Sequence, residues 1–186
     1  SLTNAVVSGA QYGVYLYMSS GNTTTHTLAN DTFYGGTGSA TGVYVYVVSA
    51  STTTVNLTNS IVAQYASYGV YRTVSSGTGV VNVSYSDVWG NTSGNYNGVT
   101  PGTGSFSANP LYKNAPSDLH LTANSPARNA GDTGADIGAL PYAGVHGLDE
   151  RRIELQQGLS TGEHDEAALG RLAPGLSDCI SHCFGV

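Results

Sequence analysis

With 186 residues, 40 % of them hydrophobic and a net charge of −6, the chain suits one domain plus an appendage and is too apolar to stay disordered. Only six Lys and Arg are present, which excludes the basic surface that nucleic acid requires, and no run of about 18 apolar residues occurs that would cross a membrane. The 25 Gly and 13 Tyr, with abundant Ser, Thr, Asn and Val and only 10 % charged residues, suit strands joined by many turns.

The N-terminal residues Ser1-Leu2-Thr3-Asn4 already belong to a repeat, so no signal peptide is expected there, and the chain reads as a mature or trimmed piece. The motif returns as Leu28-Ala29-Asn30, Leu57-Thr58-Asn59 and Val83-Ser84-Tyr85, at intervals of 26, 29 and 26 residues. Each copy is followed by apolar residues, Val6-Val7, Phe33, Ile61-Val62 and Val88. The Asn column Asn4, Asn30 and Asn59 is expected to stack inward, amide on amide.

A second motif is locked to the first. It reads Tyr12-Gly13-Val14-Tyr15-Leu16-Tyr17-Met18, then Thr41-Gly42-Val43-Tyr44-Val45-Tyr46-Val47, then Tyr68-Gly69-Val70-Tyr71-Arg72-Thr73-Val74. Each copy alternates after its Gly, aliphatic on one side and Tyr on the other, the period of a strand with one buried face. Arg72 stands in the inward column of Leu16 and Val45, so it needs a carboxylate, a bulge or an open end. A third, polar strand is expected at Thr23–Thr27, Thr52–Asn56 and Gly79–Asn82. Three short strands per repeat with no helix between them define a parallel β-solenoid, with equivalent positions about 4.8 Å apart. The reading is therefore all-β: about four coils over residues 1–100, an irregular cap over 101–142, and a tail over 143–186.

The coils, and still more Val83-Ser84-Tyr85-Ser86-Asp87-Val88-Trp89-Gly90-Asn91, Ala108-Asn109-Pro110-Leu111-Tyr112, Asp118-Leu119-His120-Leu121, Asn124-Ser125-Pro126-Ala127, Gly131-Asp132 and Asp136-Ile137-Gly138-Ala139, resemble secreted bacterial right-handed parallel β-helix proteins of the pectate-lyase-like superfamily. The resemblance covers about three quarters of the chain. It implies the right-handed coil, and a surface protein with a variable C-terminal anchor. It says less about function, because the fold hosts several chemistries.

In the closing segment, Pro101, Pro110, Pro116, Pro126 and Pro141 are expected to stop further coils, so that the segment covers the open end of the stack. Asp118, Asp132 and Asp136 suit Asx turns; the sharper alternative is a Ca²⁺ site. The tail changes character: all four Glu lie in it, and Asp149 and the Ser160/Glu163 pair predict helix starts. Cys179, His182 and Cys183 offer soft ligands, but the second ligand pair of a structural zinc site is missing.

For catalysis the coils offer only Asp31, Asp87 and Arg72. Glycoside hydrolysis needs two carboxyls about 5–9.5 Å apart, and the offset between Asp31 and Asp87 along the repeat sets them on different faces, two coils apart. His26, amid threonines, reads as a solvated strand residue. The Thr-x-Thr runs resemble those of ice-binding solenoids, but two coils are too short an array. The stronger signal is the outward column of Tyr15, Tyr44 and Tyr71, flanked by Tyr17 and Tyr46. Flat aromatics beside Ser, Thr and Asn are the chemistry that holds sugar rings. The expectation is a secreted or surface-displayed, non-catalytic module that binds a polysaccharide or cell-surface glycan. The rival readings are a polysaccharide lyase, glycoside hydrolase or carbohydrate esterase, and an adhesin-like stalk.

Overall fold

Alternation at period two becomes three stacked parallel sheets in the computed structural model, which describes residues Ser1–Gly144. The first coil consists of β1 (Leu2–Thr3), β2 (Val6–Ser8) and β3 (Tyr12–Met18). The second has β4 (Thr23–Ala29), β5 (Thr32–Tyr34) and β6 (Thr41–Val47), and the third β7 (Thr52–Thr58), β8 (Ile61–Ala63) and β9 (Tyr68–Val74). The fourth has β10 (Thr78–Ser84), β11 (Asp87–Trp89) and a shortened β12 (Gly94–Asn97). Sheet A stacks β1-β4-β7-β10, sheet B β2-β5-β8-β11 and sheet C β3-β6-β9-β12, every pairing parallel. The molecule is a parallel β-solenoid of four coils. The longer second repeat is absorbed in connections 35–40 and 48–51, leaving the strand registers intact.

Three strands per coil agrees with the sequence reading, but their boundaries differ. The polar Thr run and the Leu-x-Asn motif form one seven-residue strand, and the apolar residues after the Asn form the short strand of sheet B. The break falls where the backbone turns. Asn4, Asn30, Asn59 and Tyr85 have φ of 55°, 55°, 52° and 47°, the left-handed region that Asn tolerates better than most residues. The Asn column is thus a corner in the backbone, not an inward amide ladder; Asn4 is exposed, and Asn30 and Asn59 are half-buried. The ladder at this corner belongs to the next residue. Asp31 Oδ1 accepts the Ala5 N–H at 2.8 Å, Ser60 Oγ the Asp31 N–H at 3.1 Å and Ser86 Oγ the Ser60 N–H at 3.1 Å.

The interior is filled by the columns Leu28-Leu57-Val83, Phe33-Val62-Val88 and Val43-Val70, all buried. Gly42 and Gly69 admit this packing, because a Cβ there would stand 2.2 Å and 2.4 Å from Val62 and Val88 methyl groups. At the first coil the columns are only half-buried, and Leu2, Val14, Leu16 and Leu28 line an open mouth of about 210 Å³.

The closing segment was expected over the end of the stack. It begins so, with isolated parallel bridges from Pro101 to Val83 and from Phe106 to Asp87. It then folds back over the outer face of sheet B, through an antiparallel hairpin of β13 (Tyr112–Asn114) and β14 (Asp118–Leu121). Leu121, Ala127 and Ile137 bury Ile61 and Ala63 in a second apolar cluster. Ala139 N–H donates to Thr32 Oγ1 at 2.9 Å, and Gly138 N–H to the Asn59 carbonyl at 2.8 Å. The segment is a flank cover more than an end cap, because sheet B also turns Ile61, Ala63, Tyr34 and Trp89 outward. The helices expected beyond Gly144, with Cys179, His182 and Cys183, lie outside the described residues.

Candidate functional site

Sheet C carries the tyrosines on its outer face in the register the repeat implies: Tyr15 pairs with Tyr44 and Tyr44 with Tyr71, Tyr17 with Tyr46. Tyr44 stacks on Tyr71 at 4.9 Å and 4°, and is tilted 37° against Tyr15 at 5.1 Å. Rings this close are nearer than two coplanar rings can approach, so they stand on edge and cover one another's faces. Tyr44 has a neighbour on either side, and burial raises its hydroxyl above the ordinary value. Tyr12 joins the array at 5.2 Å from Tyr15, and Tyr68 at 5.3 Å from Tyr71. The outward tyrosines expected from sequence therefore pack against one another, Tyr44 stacked on Tyr71 and Tyr17 edge to face with Tyr46 at 5.5 Å. The most open members are Tyr15 and Tyr17, 47 % and 52 % exposed, while Tyr44, Tyr46 and Tyr71 are half-buried and show edges and hydroxyls. Thr73 lies in register with Tyr46, and Asn97 with Tyr71.

The catalytic candidates are not gathered in a groove. Asp31 sits in the corner between sheets A and B, fully buried, its carboxyl raised by burial against the Ala5 hydrogen bond that lowers it. Asp87 lies on the outward face of β11 beneath the closing segment, also fully buried, and accepts the Ala108 N–H at 3.0 Å. Burial pushes its carboxyl up to about 7, and its Oδ2 has no partner among the described residues. Its charge adds to burial in raising the hydroxyls of Tyr96, to about 12, and Tyr112. Arg72 keeps the inward register of Val45, but β12 stops opposite Tyr71, so among the described residues no strand pairs with Arg72 on that side. Its Nη1 donates to the Gly79 carbonyl at 2.8 Å, so among the described residues a backbone carbonyl, not a carboxylate, meets it.

The cap aspartates serve separate turns. Asp118 binds His120 at 2.7 Å and Lys113 at 3.5 Å, bonds that lower its carboxyl. Asp132 exchanges two hydrogen bonds with the Asn59 amide, at 2.8 and 3.0 Å, and Asp136 accepts the N–H groups of Asn129 and Tyr142. Among the described residues no three His, Cys, Asp or Glu side chains come together as metal ligands would. His26 differs from its sequence reading: it is half-buried in the inward column of Val55 and Val81, lines the mouth at the first coil, and lies 3.3 Å from Thr24 Oγ1.

Sequence reasoning missed a cleft of about 310 Å³ between the end of sheet B and the 109–115 turn, lined by Tyr34, Gln64, Trp89, Asn109, Leu111 and Tyr112. Its signal was legible in part, since Tyr34, Ala63 and Trp89 occupy one column of the repeat. No family model, curated protein or solved structure matches the chain.

Proposed function

We propose that the protein is a non-catalytic, secreted or surface-displayed module of the pectate-lyase-like kind that holds a polysaccharide or cell-surface glycan against the tyrosine face of sheet C. The observation that carries this reading is the continuous array of seven tyrosines on one outer sheet face, with Tyr15 and Tyr17 half open to solvent. A contiguous exposed aromatic surface costs solubility unless something binds it. Tyr, Thr and Asn make this face uncharged, with hydroxyls and amides beside the rings, which suits neutral sugars. The stacked core of Tyr44 and Tyr71 acts as a rigid backing, and Tyr15 and Tyr17 present the free surface. Burial of both Asp31 and Asp87 weighs against a hydrolase or lyase on these coils.

A glycan-array screen of the wild-type chain and a Tyr15→Ala/Tyr17→Ala variant tests the reading. Wild type binds at least one glycan class and the variant, with an unchanged melting temperature, binds it at least about tenfold more weakly, the range for losing one or two aromatic contacts. Wild type binding no glycan sinks the proposal, and release of unsaturated or reducing ends from a bound polysaccharide replaces it with the enzymatic reading.

A further inference from the structure

At the end of the sheet B strands the outward column reads Ser8-Tyr34-Ala63-Trp89, and in the third coil the residue after it is not glycine. The outward column Tyr34-Ala63-Trp89 places a small residue between two aromatics. Two strand spacings, roughly 9.6 Å, separate the aromatic positions and leave a notch between them. Tyr112 packs against the cluster containing Ala63 and meets Tyr34 edge-on at 5.7 Å and 75°. Three aromatic walls result, and the Tyr112 hydroxyl is buried with no partner among the described residues.

The next residue in each coil is Gly9, Gly35, Gln64 and Gly90. Gly9 and Gly90 turn the corner with φ of 69° and 66°, a conformation glycine adopts freely. Gln64 turns it at φ 65° against its own preference. The Gln64 amide lies over Gly90, where a Cβ would stand 2.3 Å from its Nε2, and it faces the cleft as one of its lining residues. Opposite it, Asn109 Oδ1 accepts the Leu111 N–H at 3.0 Å, leaving its amide N–H groups unspent, and Leu111 is itself left-handed at φ 52°. Non-glycine residues held in this conformation around one cleft are a pattern found at ligand clamps.

We propose that this cleft is a second binding site, for a single uncharged sugar ring, seated on Trp89 and Tyr34 and hydrogen-bonded by the Gln64 and Asn109 amides. Aromatic walls take the C–H face of a pyranose and amides take its hydroxyls. Its volume is at the small end of ligand pockets, about 300–1,000 Å³, which fits one ring and not an extended chain. No charged side chain lines it, which selects neutral hexoses over uronic acids. The site stands on observations separate from the tyrosine face and survives or fails without it.

Trp89 is the only tryptophan in the chain, so its emission reports on this cleft. The full chain is titrated with glucose, galactose, mannose, N-acetylglucosamine and their β-linked disaccharides, with glucuronate and choline as comparison ligands. At least one neutral sugar gives a saturable change, glucuronate binds at least fivefold more weakly, and Gln64→Ala weakens the neutral sugar at least fivefold with unchanged melting temperature. Tyr15→Ala/Tyr17→Ala leaves the titration unchanged. No response to any neutral sugar up to its solubility limit overturns the proposal. A response to choline alone replaces the ligand class with quaternary ammonium, which an aromatic cage also suits. Loss of the response in the Tyr15/Tyr17 variant shows that the cleft is not a separate site.

Discussion

Burying Asp87 under the closing segment gives the molecule a carboxyl that folds more readily with its proton than without. Its folded value of about 7 lies above the ordinary 3.8, so between those pH values the folded state binds more protons than the unfolded chain. Stability is therefore fully present below about pH 4 for this group, declines as pH rises, and is lost above about pH 7, by on the order of a few kcal/mol. Asp31 is shifted in the same direction. Asp87→Asn keeps an oxygen to accept the Ala108 N–H and removes the charge. Urea unfolding from pH 4 to 8 is expected to fall steeply for wild type and to flatten for Asp87→Asn, with the variant the more stable at pH 8. An equally steep decline in the variant would assign the titration elsewhere.

At the scale of the element, the corner after each sheet A strand decides where the strand ends. Asn59 does two things there: it takes φ 52°, and its amide exchanges both hydrogen bonds with Asp132, 73 residues on. Asn4 has a similar φ, 55°, and no such partner among the described residues. Asn59→Ala loses both features and is expected to cost about 2 kcal/mol in denaturant unfolding. Asn59→Gly keeps the turn and loses only the Asp132 pair, about 1 kcal/mol, and Asn4→Gly is close to neutral. Equal losses at positions 4 and 59 would show that the Asp132 pair contributes nothing. The tyrosine strands show the same division of labour, because alternation sets which side each Tyr faces, whereas the 4.9 Å approach of Tyr44 and Tyr71 sets how much of each ring remains open.

For the whole molecule, the closing segment determines which sheet faces solvent. Among the described residues nothing covers the outer face of sheet C, whereas sheet B is covered from its second coil on, with Thr32, Ile61, Ala63 and Asp87 all buried by the returning chain. A chain ending at Phe106, compared with one ending at Gly144, uncovers Ile61 and Ala63 and is expected to bind a hydrophobic dye and self-associate in sedimentation. Equal dye binding by the two chains would mean that the cover contributes little.

The solenoid is legible in the residues alone. Period-two alternation and a repeat of near-constant length specify strands, register and inward columns, because a one-residue slip would turn every side chain to the wrong face. The same pattern places Tyr15, Tyr44 and Tyr71 on one outward column, and Arg72 on an inward one. What those positions can do depends on how the coils and the closing segment pack around them. Stacking closed the ring faces of Tyr44, and the early end of β12 gave Arg72 a backbone carbonyl instead of a carboxylate. The return of residues 107–144 buried Asp87 and put Tyr112 beside Tyr34, making a cleft with Trp89 and Gln64 from residues up to 78 positions apart. A local pattern reports a strand's faces, but not which distant segment will cover them.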